Sequence, residues 1–466
     1  MRRPALATLV VLATLGGAHA QEGDGPYAGH KHVRVPMATR AVMEAIEPLS
    51  PDVWTHRIVP LGPVDMRLSP EQYARFLELR IEHDVLTPDL QVVVDAERAR
   101  IAARSERDDV AWYEEYRTLD EYRARWAAIA RSAPGVATIE TIGTSIEGRE
   151  IPSIVLDGDG RPDKPVFVIN ACQHAREWLS PAATTYVIES LVEGYGVDPR
   201  ITHLLDELEW VFLPMVNPDG FDYTWTDQRF WRKNKRRISD RLFGVDLNRN
   251  WSYEWGGRGS SPDPGSSNYR GPEPFSEPEL IALTEALEPM RDRIVGHLDV
   301  HTFSQFVLSP WGYTLEEPID IAEMTELGDA FADGVREATG AEYEVGTGAT
   351  VLYLYSGNAT DWFYGELDSL SWTIELRPTG PITLPGFDPP PDQILLAGEE
   401  LLEGTLRLAE EFVRHPADFD RDGSLTVYDY LRFQSFWEAR DPRADVDLDG
   451  EFTPFDLLSF HALFNG

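Results

Sequence analysis

Apolar positions between 112 and 415 cluster into short continuous runs: "KPVFVINA" (164–171), "LEWVFLPMVN" (208–217), "RIVGHLDVHTF" (293–303) and "LSWTIELRP" (370–378). Each has the length and β-branched content of a buried strand. Between them lie stretches of helical period, such as "SPAATTYVIESLVEGYG" (180–196), where Ser180 can cap and Pro181 can start the helix. Strands this apolar need cover on both sides, so the pattern predicts an α/β sheet with helices on both faces. Ligands in such folds bind at the carboxyl ends of the strands, which directs attention to the residues after each run.

The N-terminal pattern differs. Residues 32–95 read as a small α+β unit, with "HVRVPM" (32–37) and "LQVVVDA" (90–96) as strands. Ser69, Pro70, Glu71 and Gln72 form a capping box with proline at the first helical position, opening the amphipathic helix "EQYARFLELRIEH" (71–83). A charged connector over 96–111 carries Arg98, Arg100, Arg104 and Arg107. It reads equally as a solvated helix or as a protease-sensitive activation linker. At the front, "MRRPALATLVVLATLGGAHA" (1–20) places two arginines before an apolar core and the small-x-small site Ala18-His19-Ala20. That is the pattern of a secretory signal peptide, too short for a membrane span, and no other stretch approaches that length. The expected location is secreted, with periplasmic or cell-surface placement compatible.

Composition adds two exclusions. A single cysteine, Cys172, rules out intrachain disulfides and reads as a small buried side chain. A net charge of −37 argues against nucleic acid or anionic membranes as partners.

The candidate chemistry begins at "HAREW" (174–178), where His174 and Glu177 flank a strand end. Imidazole and carboxylate are zinc ligands, and a catalytic zinc commonly has three protein ligands and one open position. With 11 His and 79 acidic residues in 466, about two His-x-x-acid pairs arise by chance, so this pair needs a third ligand to carry weight. His297 and His301 both qualify, because strand alternation puts them on one face. "GVDLNRNW" (244–251) supplies Asn248 and Arg249 as a receptor for a free carboxylate, with Asp246 able to orient a zinc-bound histidine. Glu375 lies inside an apolar run, where a carboxylate is costly unless paired or functional.

With "NPDGF", "WRKN", "SEPE", "VHTFSQ", "YSGNATDW" and "TIELRPTG" in order after "HAREW", the main unit resembles the zinc metallocarboxypeptidases of the A/B family (funnelins, M14) over roughly 300 residues. The resemblance implies a mixed central sheet with helices on both faces, a zinc-dependent exopeptidase, and peptide or protein C-termini as substrate. Carried over by position, His174, Glu177 and His301 are the zinc ligands, Glu375 the general base and Arg232 the group that polarises the scissile carbonyl. Asn248, Arg249 and Tyr353 form the terminal-carboxylate clamp, and Arg176 is a secondary substrate arginine. Tyr355 competes with Tyr353, but the distance to Asp361-Trp362 favours Tyr353. Leu308, Gly312, Gly348, Thr360 and Thr373 line the specificity pocket. Neutral Thr360 and the space at Gly348 imply a roomy pocket for apolar or aromatic C-terminal residues. A mixed or basic preference, or a non-catalytic protein on the same fold, is the alternative. Residues 32–95 resemble the family's inhibitory propeptide, and 112–415 the catalytic domain.

The last fifty residues (416–466) change character. "DFDRDGSLTVYD" (418–429) and "DVDLDGEFTPFD" (445–456) start 27 residues apart. Asp418, Asp420 and Asp422, and again Asp445, Asp447 and Asp449, occupy loop positions 1, 3 and 5. Glycine follows at 6, Ser424 or Glu451 offers a carbonyl at 7, and Asp429 or Asp456 closes the loop. Helical patterns follow each loop. The arrangement resembles a type I dockerin, implying a small helical module with two Ca2+ ions and a cohesin-like scaffold or surface partner, with a stabilising calcium-bound tail as the alternative.

Overall fold

In the computed structural model, the described residues are 25–55, 57, 61–105, 111–379, 386–415, 417–419, 425–440, 444–446 and 451–465. The expected signal segment 1–20 and Arg107 lie outside them. Four short strands open the chain: β1 Lys31–Val35, β2 Asp52–Val53, β3 Val64–Leu68 and β4 Asp84–Thr87. They form an antiparallel sheet in the order β2-β3-β1-β4. Helices Arg40–Ile46 and Pro70–Glu78 accompany this sheet, and Val33, Val35, Ile46, Met66, Leu68 and Phe76 form its own core. The capping box is present: Ser69 accepts from the Gln72 amide, and the Gln72 side chain accepts from the Ser69 amide.

"LQVVVDA" is a correction. It opens the helix Leu90–Ser105. Leu90, Val94, Glu97 and Ile101 recur at helical spacing and face inward. Leu90 and Val94 pack with Trp54, Phe230, Phe303 and Phe387, so burial overrides the strand preference of a valine run. The expected connector is therefore helical as far as Ser105. Arg98 donates to the Asp227 carbonyl, Arg100 pairs with Glu115, and Arg104 holds the Tyr116 carbonyl and Glu121.

The main sheet has eight strands: β5 Ala137–Thr144, β6 Glu150–Leu156, β7 Val166–Ala171, β8 Glu209–Leu213, β9 Ile294–Thr302, β10 Phe306–Ser309, β11 Glu344–Thr347 and β12 Leu370–Leu376. Their order is β11-β10-β12-β9-β7-β8-β6-β5. β12, β9, β7 and β8 run parallel; β6 and β5 are antiparallel at one edge, and β10 is antiparallel to β12 at the other. Strand alternation sends Phe167, Ile169, Trp210 and Phe212 into one core, under helices Leu179–Gly194, Ile321–Thr339 and Asp392–Val413. Val166, Val168, Val211 and Leu213 enter the other, under Pro278–Leu287 and Ala359–Leu367. This is the expected mixed α/β sheet with both faces covered. The helix after "HAREW" starts at Leu179 and Ser180 does not cap it; the Ser180 hydroxyl bonds to the Val300 carbonyl and the Cys172 amide.

At the C-terminus, helices Val427–Ala439 and Pro454–Asn465 follow the two acidic segments. They pack through Phe433 and Phe460, stacked at 4.3 Å, with Ala417 and Ala444 buried beside them. Asp429 accepts from the Thr426 amide, and Asp456 from the Val446 and Thr453 amides. Asp418 and Asp445 are described, as is exposed Glu451. Asp420, Asp422, Ser424, Asp447 and Asp449 lie outside the described residues.

Candidate active site

Three adjacent strands carry the site. His174 and Glu177 lie in the turn after β7, His301 near the end of β9, and Glu375 near the end of β12, directly paired with His301 in the sheet register. The carboxylate of Glu177 bridges the two imidazoles, with Oε1 3.0 Å from His174 Nδ1 and Oε2 2.8 Å from His301 Nδ1. Among the described residues, these three form the one group of three or more side chains that could hold a metal, with ligand atoms within 4.8 Å of one another.

The far nitrogens of both rings are anchored. His174 Nε2 meets Asp246 at 3.1 Å, as expected, and His301 Nε2 meets Asp299 at 2.9 Å. Such contacts fix the ring orientation and turn Nδ1 toward the ion site. Asp299 is a residue the motifs missed. Its signal was present in "HLDVH", where alternation puts 297, 299 and 301 on one face. His297 is a structural histidine: it bonds to Ser371 and Asn170 and stacks on Phe363 at 3.5 Å.

The electrostatics suit a cation. Burial pushes the carboxyls of Glu177 and Asp246 up, yet His174 and His301 hold the first well below the usual range, and Arg232 and His174 hold the second. Burial alone would keep His301 neutral, but Asp299 and Glu177 raise it well above the usual histidine value. The buried carboxylates around the two rings favour positive charge between them, and two imidazoles and a carboxylate suit zinc. Burial pushes Glu375 up to about 8, with His301 pulling down and Glu177 pushing further up.

A cavity of about 50 Å³ is bounded by this cluster together with Arg232, Arg249, Tyr353 and Tyr355. Arg232 holds Asp246 Oδ2 through Nε and Nη2 at 3.1 and 3.0 Å. Arg249 donates to the Tyr353 hydroxyl at 3.1 Å. Tyr353 is 37% exposed, whereas Tyr355 is buried beneath it. Asn248 lines the cavity, but its amide donates to Asp299 at 3.0 Å and its carbonyl accepts from the Ala359 amide, so it braces the metal-ligand partner more directly than it faces the opening. Arg176 is buried and bonded through Nη1 to both Asp52 oxygens at 3.0 and 2.9 Å, a contact from the N-terminal sheet.

Thr360 and Thr373 are brought together with hydroxyl oxygens 2.6 Å apart. The space expected at Gly348 is a correction: a Cβ there would collide with the Tyr355 hydroxyl, so the phenol occupies it. Buried Cys172 is pushed well up in pKa by burial and then Glu177, as suits an inert thiol.

Comparison with known proteins places this geometry. The zinc carboxypeptidase family model matches residues 122–404. Carboxypeptidase A2 of Rattus norvegicus is 32% identical over 422 residues, covering 88% of this chain and 99% of that protein. Carboxypeptidase B of Astacus astacus is 36% identical over 302 residues, 64% of this chain and 97% of its own. Among solved structures, carboxypeptidase A from Helicoverpa armigera superposes with a TM-score of 0.75 at 27% identity, covering 83% of this chain and 98% of that one.

Proposed function

We infer, on the premise that this chain belongs to the zinc carboxypeptidase family and is a zinc-dependent metallocarboxypeptidase, how its own residues divide the work of removing the last residue of a polypeptide. The observation that carries the reading is the meeting of His174, Glu177, His301 and Glu375 in one cavity with the Arg249–Tyr353 pair. His174, Glu177 and His301 would hold the zinc, with Asp246 and Asp299 fixing the two rings. Bound there, zinc supplies Lewis acidity toward the scissile carbonyl and lowers the pKa of water. Burial pushes Glu375 up to about 8, and a dication held by His174, Glu177 and His301 would draw it into the carboxylate form, so that it takes the proton of the attacking water and returns it to the leaving amine. Arg232 faces the charge that develops on the carbonyl oxygen, a donor worth roughly 3–4 kcal/mol in comparable sites. Arg249 and Tyr353, with Asn248 behind them, hold the terminal carboxylate and so select the last peptide bond. Thr360 pairs with the Thr373 hydroxyl, and the carboxylate of adjacent Asp361 is taken up by the Gly312 and Tyr313 amides, which favours neutral over basic C-terminal residues.

Residues 32–95 act as an inhibitory pro-domain, a reading supported by the Asp52–Arg176 contact. The cut that releases it falls in the 96–111 linker, at Arg98, Arg100, Arg104 or Arg107. Export of the chain rests on the signal-like 1–20 segment. Residues 416–466 form a calcium-stabilised dockerin-like module with a cohesin-like partner, a reading supported by the repeated acidic loops and the helix after each. Calcium should raise the helical circular dichroism of the full chain relative to chelator, and an unchanged spectrum removes the calcium reading. The test of the main reading is zinc-loaded chain, before and after limited trypsin, on blocked dipeptides as free acids and as amides. Hydrolysis confined to the free acids and rising on cleavage is expected. Equal hydrolysis of the amides would refute an exopeptidase.

A further inference from the structure

The pocket beyond Arg249 must receive the side chain of the C-terminal residue if, as inferred above, Arg249 holds its carboxylate. Tyr355 stands in that pocket. Its ring lies between two glycines on separate segments. A Cβ on Gly312 would sit 2.8 Å from both Cε2 and Cζ of the tyrosine, and a Cβ on Gly348 would meet its hydroxyl, with Cζ at 2.8 Å and Cε1 at 3.0 Å. Contacts under 3.0 Å are essentially never made by real Cβ atoms, so both glycines make room for this ring. The segment is held by the Tyr355 amide donating to the Gly312 carbonyl at 2.9 Å, the Arg249 guanidinium lies 5.1 Å over the ring, and the residue is 6% exposed. The cavity that Tyr355 lines together with the metal cluster measures about 50 Å³, and a larger one of about 780 Å³ adjoins it at Arg232, Arg249 and Tyr353. A cavity that accepts a benzene-sized guest measures roughly 150 Å³.

We propose that Tyr355 is a specificity-determining residue that fills the pocket at Gly312 and Gly348 and restricts the enzyme to polypeptides ending in a small neutral side chain, of the alanine and serine class. The proposal rests on the carboxypeptidase reading and reverses the aromatic preference that Gly348 implies from sequence. The remaining wall, the Thr360–Thr373 hydroxyl pair, is neutral and compatible with a short apolar or hydroxylated side chain.

The test is kcat/KM of the trypsin-treated, zinc-loaded protein on blocked dipeptides ending in Ala, Ser, Leu or Phe. Wild type should favour Ala and Ser over Phe at least tenfold, and Tyr355→Ala should raise the Phe to Ala ratio at least a hundredfold. A purely structural tyrosine would not produce that gain on Phe. Wild-type cleavage of Phe at least equal to Ala overturns the proposal and leaves the carboxypeptidase reading intact; no cleavage of any free acid removes both. Thermal unfolding decides independently of activity and of whether Tyr355→Ala is soluble enough to assay. Gly348→Ala should lower the midpoint of the wild type by several degrees, and adding Tyr355→Ala should remove that loss if the double variant folds. A harmless Gly348→Ala in the wild type shows that the ring is not there and overturns the proposal.

Discussion

Replacing Asp52 by asparagine should unlock the uncut chain. Asp52 meets Arg176 through both oxygens, and also accepts from Arg67 at 3.2 Å and from the Trp54 indole at 2.9 Å. Asp52 and Arg176 are both buried, so asparagine leaves the guanidinium without its charge partner. Breaking one partner of such a pair costs about 3–5 kcal/mol. Taking the lower figure, the balance between docked and undocked N-terminal sheet shifts by about a hundredfold, since each ~1.4 kcal/mol is tenfold. The assay is hydrolysis of a blocked dipeptide by uncut protein, normalised to the same sample after trypsin. The wild type should be strongly inhibited before cleavage, and Asp52→Asn should approach the cleaved rate. The same group sets a pH dependence. Burial pushes Asp52 up, but Arg176 and Arg67 outweigh it and hold the pKa at about 2 against an ordinary 3.8. A carboxylate depressed on docking stabilises docking above its undocked value and loses that contribution as pH falls through the docked one. Arg67 stays with Asp52 when the sheet undocks, so the part of the depression that Arg176 causes is what should stabilise docking above pH 3.8 and be lost toward pH 2. An uncut Asp52→Asn protein as silent as the wild type, with no change in the cleaved rate, would refute the lock.

Three further outcomes are expected. Glu375→Gln should retain zinc by metal analysis and lose about 10²–10⁴-fold in kcat, the range for a positioned general base; a near-normal rate would remove that role. Arg249→Ala should lose most of the preference for free acids over amides, read as the ratio of kcat/KM on matched dipeptides. Asp299→Ala should weaken zinc binding by about 10–100-fold in a chelator competition, because the His301 ring loses the group that orients it; unchanged affinity would make Asp299 a bystander.

Local spacing by itself determined a large part of this protein. Strands with apolar residues on both faces announced a covered sheet, and β7, β8, β9 and β12 fall within the four apolar runs. The three-residue step from His174 to Glu177 announced half of the metal cluster, and a carboxylate in an apolar run marked Glu375. These signals survive because side-chain direction along a strand or turn is fixed by a few neighbouring residues. What only the tertiary structure decided involves partners far apart in the chain. His301 stands beside Glu177 across 124 residues while His297, on the same strand face, is absorbed by Ser371, Asn170 and Phe363. "LQVVVDA" became helix because Trp54, Phe230 and Phe387 offered a surface to its Leu90 and Val94 face. Gly348 read as empty space until Tyr355 was seen to fill it. Arg176 carries a bond from Asp52, 124 residues earlier, that no local motif shows. Sequence supplies the identity and local direction of each group, but occupancy of a shared space depends on every segment that folds into it, and no local pattern encodes that sum.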